Sequence, residues 1–235
     1  MPAHRPSGQE EQTQSRLNVD VMKLKCYTAE GSQADDKEIA GFPSFEGDAG
    51  IDALRQVVIA IQANRRQGNA STKLRSEVRG SGKKIHRQKG LGIGRAGDRA
   101  AVQRRGGGVV FGPKPRSYSK KINKKMKRLA LARALYDRAE EGKLCLIEEW
   151  KVSEPKTKQF VAILDKVTQS SGKVLLVDDA FADNFCLAAR NVARSSLGRA
   201  QDVSPLDLVG ADDVILSSNG LSVLLAKIGG SEESS

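Results

Sequence analysis

From Arg65 to Arg128 this chain carries twenty-one Lys and Arg against two acids, Glu77 and Asp98. Lysine offers a compact, mobile positive charge, and arginine a planar fork of donors that grips a phosphate through two hydrogen bonds. Glycines are set among these cations at 80, 82, 90, 92, 94, 97, 106, 107, 108 and 112. A residue without Cβ lets the backbone approach a ligand closely. The chemistry such a stretch can do is recognition of a polyanion, without making or breaking bonds. The stretch holds a formal +19 of a chain whose total is +11, so the remainder sums to −8. Charge is segregated, and clustered cations make an electrostatic footprint where mixed charges make only a soluble surface.

Other motifs lack the parts that their chemistry needs. Gly92-Ile93-Gly94-Arg95-Ala96-Gly97 matches GxGxxG, but that fingerprint acts only after a strand and at a helix start. Here the charged run from Lys83 to Lys89 precedes it, and Gly106-Gly107-Gly108 follows shortly after. Gly82-Lys83-Lys84 lacks both the first glycine and the Ser/Thr of a phosphate-binding loop. Asp178-Asp179, directly after an apolar run, could hold Mg²⁺, although a turn or cap is the stronger reading. His4 and His86 have no Cys, Ser or Asp companion at a usable spacing. Cys26, Cys145 and Cys186 are odd in number and never paired as CxxC, which fits reduced, buried thiols of a cytoplasmic protein. The expectation is no enzyme, no cofactor and no metal.

The flanks supply the elements that must position the cationic stretch. Val19, Val21 and Leu24 suggest a first strand near a sheet edge, and residues 29–48 read as turns with a short extended piece near Ile39. Asp48 is a candidate cap for a helix with Ile51, Leu54, Val58 and Ile61 at helical spacing, stopping at Gly68. A second helix runs from Ile122 to Gly142, apolar on one side early and more broadly late. Leu144–Ile147, Val174–Val177 and Val214–Leu216 read as buried strands. Between and after them fall helices near Phe160–Val167, Asp183–Val192 and Ser222–Ile228, with a short turn opened by Ser204-Pro205. This alternation predicts an α/β fold: a three-layer α/β/α globular domain with a mostly parallel, four-stranded sheet and a long extended basic loop. The expected limits are a disordered tail at 1–16, a globular domain formed by 17–66 and 119–228, an inserted loop at 67–118, and a flexible tail at 229–235. No run approaches the ~20 apolar residues of a membrane span, so no membrane partner is expected.

Several runs resemble one family. Arg66-Gln67-Gly68, Arg79-Gly80-Ser81-Gly82-Lys83-Lys84, Arg87-Gln88-Lys89-Gly90 and Gly106-Gly107-Gly108-Val109-Val110-Phe111-Gly112-Pro113 are similar to the bacterial large-subunit ribosomal protein L-four family. Asn123-Lys124-Lys125-Met126, Pro155-Lys156-Thr157-Lys158 and Ala188-Ala189-Arg190-Asn191 follow in the same order. The resemblance covers about residues 19–228. It implies a structural constituent of the large subunit, whose loop threads into large-subunit rRNA, supports assembly and lines the nascent-peptide exit tunnel. Carried over, Lys73, Arg75, Arg79, Lys83, Lys84, Arg104 and Arg105 would contact rRNA. The remaining expected rRNA-binding residues are Arg66, Arg87, Lys89, Arg95, Lys114, Arg116, Lys120, Lys121, Lys124 and Lys125. Arg87, Gln88, Lys89 and Gly90 would line the tunnel. The implied partners are large-subunit rRNA, neighbouring large-subunit ribosomal proteins and the nascent polypeptide, in the cytoplasm. The chain departs from the family pattern between Leu91 and Arg105, and it has His86 where an aromatic is usual before Arg87.

Overall fold

The computed structural model describes residues 18–152, 154–168 and 171–229. The expected tail at 1–16 lies outside the described residues, as do residues 230–235; Gly229 is the last residue of a helix rather than the start of a tail.

Two strands open the fold, β1 (Asn18–Tyr27) and β2 (Gln33–Ser44), joined by a tight turn in which Gly31 takes φ 79°. Helix α1 (Ile51–Asn64) follows, and after a long loop α2 (Lys124–Glu140) returns the chain to the sheet. The rest alternates: β3 (Leu144–Ile147), α3 (Thr157–Val167), β4 (Val174–Asp178), α4 (Asp183–Ala189), β5 (Ser195–Arg199), α5 (Pro205–Gly210), β6 (Asp213–Ser217) and α6 (Ser218–Gly229). The sheet has six strands in the order β2-β1-β3-β6-β4-β5. β1 and β2 are antiparallel, and the other four pairings are parallel.

The α/β class thus holds, while the four-stranded sheet of the sequence reading is corrected to a mixed, six-stranded one. Both missed strands are edges. β2 carries Asp35-Asp36-Lys37-Glu38, all exposed, and charge on an edge strand deters pairing with another chain while hiding the apolar alternation. Its Gly41 (φ 80°) and the register shifts opposite Asp20/Met22 and Leu24/Cys26 break the period further. β5 reads Ser-Ser-Leu-Gly-Arg; it pairs β4 from Ser195 to Arg199 with little apolar signal of its own.

Alternation along the inner strands splits the core into two layers. Leu144, Leu146, Leu175, Val177, Val214 and Leu216 face α2, α5 and α6. Ile147, Val174, Leu176 and Ile215 face α3 and α4, where Phe160, Leu164 and Phe185 are fully buried. Central parallel strands buried on both faces therefore show as unbroken apolar runs. α2 is exposed at Lys124 and Lys125 and buried on every side from Ala130 to Leu135. It ends just before Gly142, whose φ of 68° suits a residue without Cβ.

Buried Arg133 fixes the entry to α1. Its Nε donates to Asp137 Oδ1 at 2.7 Å, and its Nη1 donates to the carbonyls of Gly47 (2.7 Å) and Ala49 (3.0 Å). α1 accordingly starts at Ile51, with the Leu54 N–H donating to the Gly50 carbonyl. Asp48, expected as the cap, stands outside the helix, and the buried positions are Val57 and Ala60 instead of the expected row. Asp183 likewise begins α4, behind an Ala182 cap without a side-chain bond. The turn at Ser204-Pro205 proves to be α5, started by a capping box between Ser204 and Asp207. The three cysteines are free; Cys26 is buried, and Cys145 and Cys186 are only half-buried, against the expectation of full burial. Burial raises the thiol pKa of Cys26 and Cys145 above the usual value. Among the described residues no helix is long and apolar enough to cross a membrane.

Candidate nucleic-acid interface

By compactness the chain divides into two units, residues 60–120 and the remainder. Residues 65–123 contain neither helix nor strand, so the path of the 60–120 unit is set by individual hydrogen bonds and close contacts. Asn64 closes its base: the side-chain amide donates to the Lys120 carbonyl (3.2 Å) and its oxygen accepts the Lys120 N–H (2.7 Å). Next comes Tyr118, with the Arg66 guanidinium 3.8 Å and the Arg116 guanidinium 4.5 Å from its ring centre. These arginines hold the Tyr118 hydroxyl pKa below its ordinary value, the Arg116 hydrogen bond contributing most.

Beyond this, an outgoing arm and a returning arm run side by side. The Arg116 N–H donates to the Gly68 carbonyl (3.0 Å), the Thr72 N–H to the Pro113 carbonyl (3.0 Å) and the Val109 N–H to the Lys73 carbonyl (2.9 Å). Three glycines make the approach possible. A Cβ on Gly68 would strike the Arg116 carbonyl, one on Gly108 the backbone of Leu74 and Arg75, and one on Gly112 the Thr72 side chain. Across the arms Lys114 Nζ donates to both Glu77 oxygens, at 2.9 and 2.6 Å. That bond, with the Leu74 N–H after it, lowers the Glu77 pKa.

The distal part is a set of nested turns. The Gly108 N–H donates to the Ala100 carbonyl (2.9 Å), around a small interior of buried Ala100 and Gly108. A Cβ on Gly107 would meet the Ala101 carbonyl. Further out, the Ile85 N–H donates to the Gly97 carbonyl at 3.2 Å, and His86 Nε2 lies 3.1 Å from the Gly94 carbonyl. At Arg87–Gly90 the Arg87 Nη2 donates back to the Gly90 carbonyl (2.9 Å), with Gly90 at φ 91°. Gln88 accepts from Lys84 Nζ at 2.5 Å. Lys84, Gln88, Arg95 and Asp98 line an open hollow of about 400 Å³.

The expected RNA-contacting side chains thus distribute in three groups. Arg66, Lys73, Arg75, Arg79, Lys114, Arg116 and Lys120 lie on the base and arms; Lys83, Lys84, Arg87, Lys89, Arg95, Arg104 and Arg105 lie on the distal turns. Lys121, Lys124 and Lys125 fall outside the 60–120 unit, the latter two opening α2. All are exposed except Arg104, which is half-buried. Lys114 forms an ion pair with Glu77 across the arms. The sequence reading missed Tyr118 as the wedge between Arg66 and Arg116, and Glu77 as the clasp on Lys114. An aromatic, or a lone acid, within a cationic run is the signal that could have marked them.

The alternative sites do not assemble. Residues 92–97 follow no strand and open no helix, and a Cβ on Gly94 or Gly97 would meet open space. The GxGxxG match therefore lacks the packing that gives those glycines their role. Buried Asp178 accepts from the Ser217 hydroxyl (2.5 Å) and the Asp179 N–H (2.8 Å), while Ser217 Oγ accepts the Gly220 N–H (2.8 Å). This carboxylate ties β4 to β6 and the start of α6. Among the described residues no cluster of His, Cys, Asp or Glu could hold a metal ion.

A family model described as the ribosomal protein L4/L1 family matches residues 43–226. Three proteins bearing the name large ribosomal subunit protein uL4 are similar to most of the chain. That of Gloeothece citriformis is 44% identical over 176 residues, covering 73% of this chain and 82% of its own. That of Brevibacillus brevis is 38% identical over 195 residues, or 83% and 93%. That of Staphylococcus haemolyticus is 39% identical over 202 residues, or 86% and 94%.

Proposed function

The chain belongs to the ribosomal protein L4/L1 family, and from that premise we propose that it binds large-subunit rRNA through residues 60–120. It is a structural protein of the large ribosomal subunit and not an enzyme, and its place is the cytoplasmic ribosome. The observation that carries the RNA-binding reading is the 60–120 unit itself. Its arms and turns spend backbone on internal hydrogen bonds while nearly every cation stays exposed, and sixteen Lys and Arg face only two acids, Glu77 and Asp98. So large an excess of exposed cations over acids is available to phosphates.

Most of the affinity would come from phosphate contact with release of condensed counterions. Irregular rRNA would then be read by shape and by guanidinium planes stacking on exposed bases. The contacts would seat the loop during assembly, and the α/β unit would hold neighbouring ribosomal proteins. In the finer reading, Arg87, Gln88, Lys89 and Gly90 form the turn that lines the exit tunnel. Arg87 folded back on Gly90 gives that turn a fixed outline, with Lys89 exposed.

The test is a photo-crosslinking residue at Gln88 in the chain assembled into translating ribosomes. The expected result is large subunits carrying the chain, with crosslinks to the nascent polypeptide. Chain that never enters large subunits would contradict the assembly role, and incorporated chain that crosslinks only to rRNA would contradict the tunnel assignment.

A further inference from the structure

Phe111 is 99% exposed, alone among the large apolar side chains in having almost its whole surface in water among the described residues. Leaving a phenyl ring in solvent forgoes the gain from burying it, so its position asks for an occupant. The backbone on both sides of the ring is fixed. Two residues before it, the Val109 N–H donates to the Lys73 carbonyl; two residues after it, the Pro113 carbonyl accepts from the Thr72 N–H. Thr72 Oγ1 also donates to Pro113, at 3.4 Å. Between those points Gly112 lies so close to Thr72 that it has no room for a Cβ. The ring thus stands on a span of three residues held at both ends, and meeting a partner there needs little further ordering.

The surroundings select the partner. Lys73 and Arg116 belong to the same stretch of the two arms and are exposed. An apolar protein surface covering Phe111 would have to strip water from those cations, whereas a nucleotide brings phosphates to them and a flat base to the ring. Val109 and Val110, at 46% and 49% exposure, are the adjoining apolar groups. That is too little apolar surface for the buried core of a protein interface, and enough to flank one base. We propose that Phe111 is a stacking platform for an unpaired base of large-subunit rRNA. This rests on the RNA-binding reading above and adds a contact that charge does not supply.

The experiment measures binding of the full chain to a large-subunit rRNA transcript across a salt series, for wild type, Phe111→Ala, Phe111→Leu and Phe111→Trp. Circular dichroism first establishes that each variant is folded, which an exposed position should permit. Phe111→Ala should weaken binding roughly 5- to 150-fold, the range for loss of one base–aromatic stack, without altering the salt slope, because no charge is lost. Phe111→Leu should lose about as much, since it keeps apolar bulk but has no π face, and Phe111→Trp should bind as wild type. Wild-type affinity in Phe111→Ala would overturn the proposal and point to a protein surface as the occupant. Recovery in Phe111→Leu would overturn it too, showing that bulk alone suffices. Failure of the wild type to bind the transcript would instead sink the RNA-binding reading, and this proposal with it.

Discussion

Glu77 is one of two acids among the cations of residues 65–128, and it spans the two arms through Lys114. The bond lies at the surface, so its contribution to stability is small and screened by salt. Its direction is still measurable. The Lys114 ammonium, and after it the Leu74 N–H, hold the Glu77 pKa below its ordinary 4.5. A carboxylate depressed in the folded state contributes its full share above the unfolded pKa and loses it as pH falls through the folded one. The clasp should therefore be intact at neutral pH and released only below about 4.5. An NMR titration of the Glu77 side chain should give a midpoint below that of an unperturbed glutamate, moving upward in Lys114→Met. Identical midpoints in the two proteins would show that Lys114 does not hold it.

At the scale of elements, the 60–120 unit replaces a ladder of secondary structure with glycine contacts. Gly108 is the decisive one, because a Cβ there meets backbone atoms of Leu74 and Arg75, which cannot rotate away. Gly112 meets the Thr72 side chain, its Cβ included, which χ rotation does not move. Gly108→Ala should separate the arms at a cost of about 1–3 kcal/mol, typical of overpacking. The Val109 amide, bonded to the Lys73 carbonyl, should lose roughly 5- to 150-fold of its hydrogen-exchange protection. Equal protection in Gly108→Ala and wild type would contradict the account. These contacts explain why the arms were hidden in the sequence. The run from Gly106 to Pro113 showed flexibility and no period, while the partners of Gly108 and Gly112 lie more than thirty residues away, at Leu74, Arg75 and Thr72. The central strands were legible for the opposite reason: Leu144–Ile147, Val174–Val177 and Val214–Leu216 are buried on both faces and need no distant partner to be recognised. Edge strands β2 and β5 fell between these cases, their polar residues facing water where pairing alone defines a strand.

For the whole molecule the governing fact is the division of charge. Residues 60–120 carry sixteen Lys and Arg against two acids, a formal +14, which leaves −3 on the rest of the +11 chain. That division was readable from composition, and so was its polyanionic partner class. The share of the cluster that belongs with α2 was not, since Lys121 to Arg128 continue the cationic run without a break in sequence. If the 60–120 unit is the RNA reader, affinity and salt dependence must both reside in it. The most direct measurement compares the intact chain with one lacking residues 69–117, binding a large-subunit rRNA fragment over a salt series. With ten cations on phosphates, log K should fall against log salt with a slope of about −7 for single-stranded contacts. The account predicts that the deletion removes most of the affinity and flattens that slope while circular dichroism still reports a folded α/β unit. Unchanged affinity and slope in the folded deletion would contradict it, and would make the α/β unit the RNA reader instead.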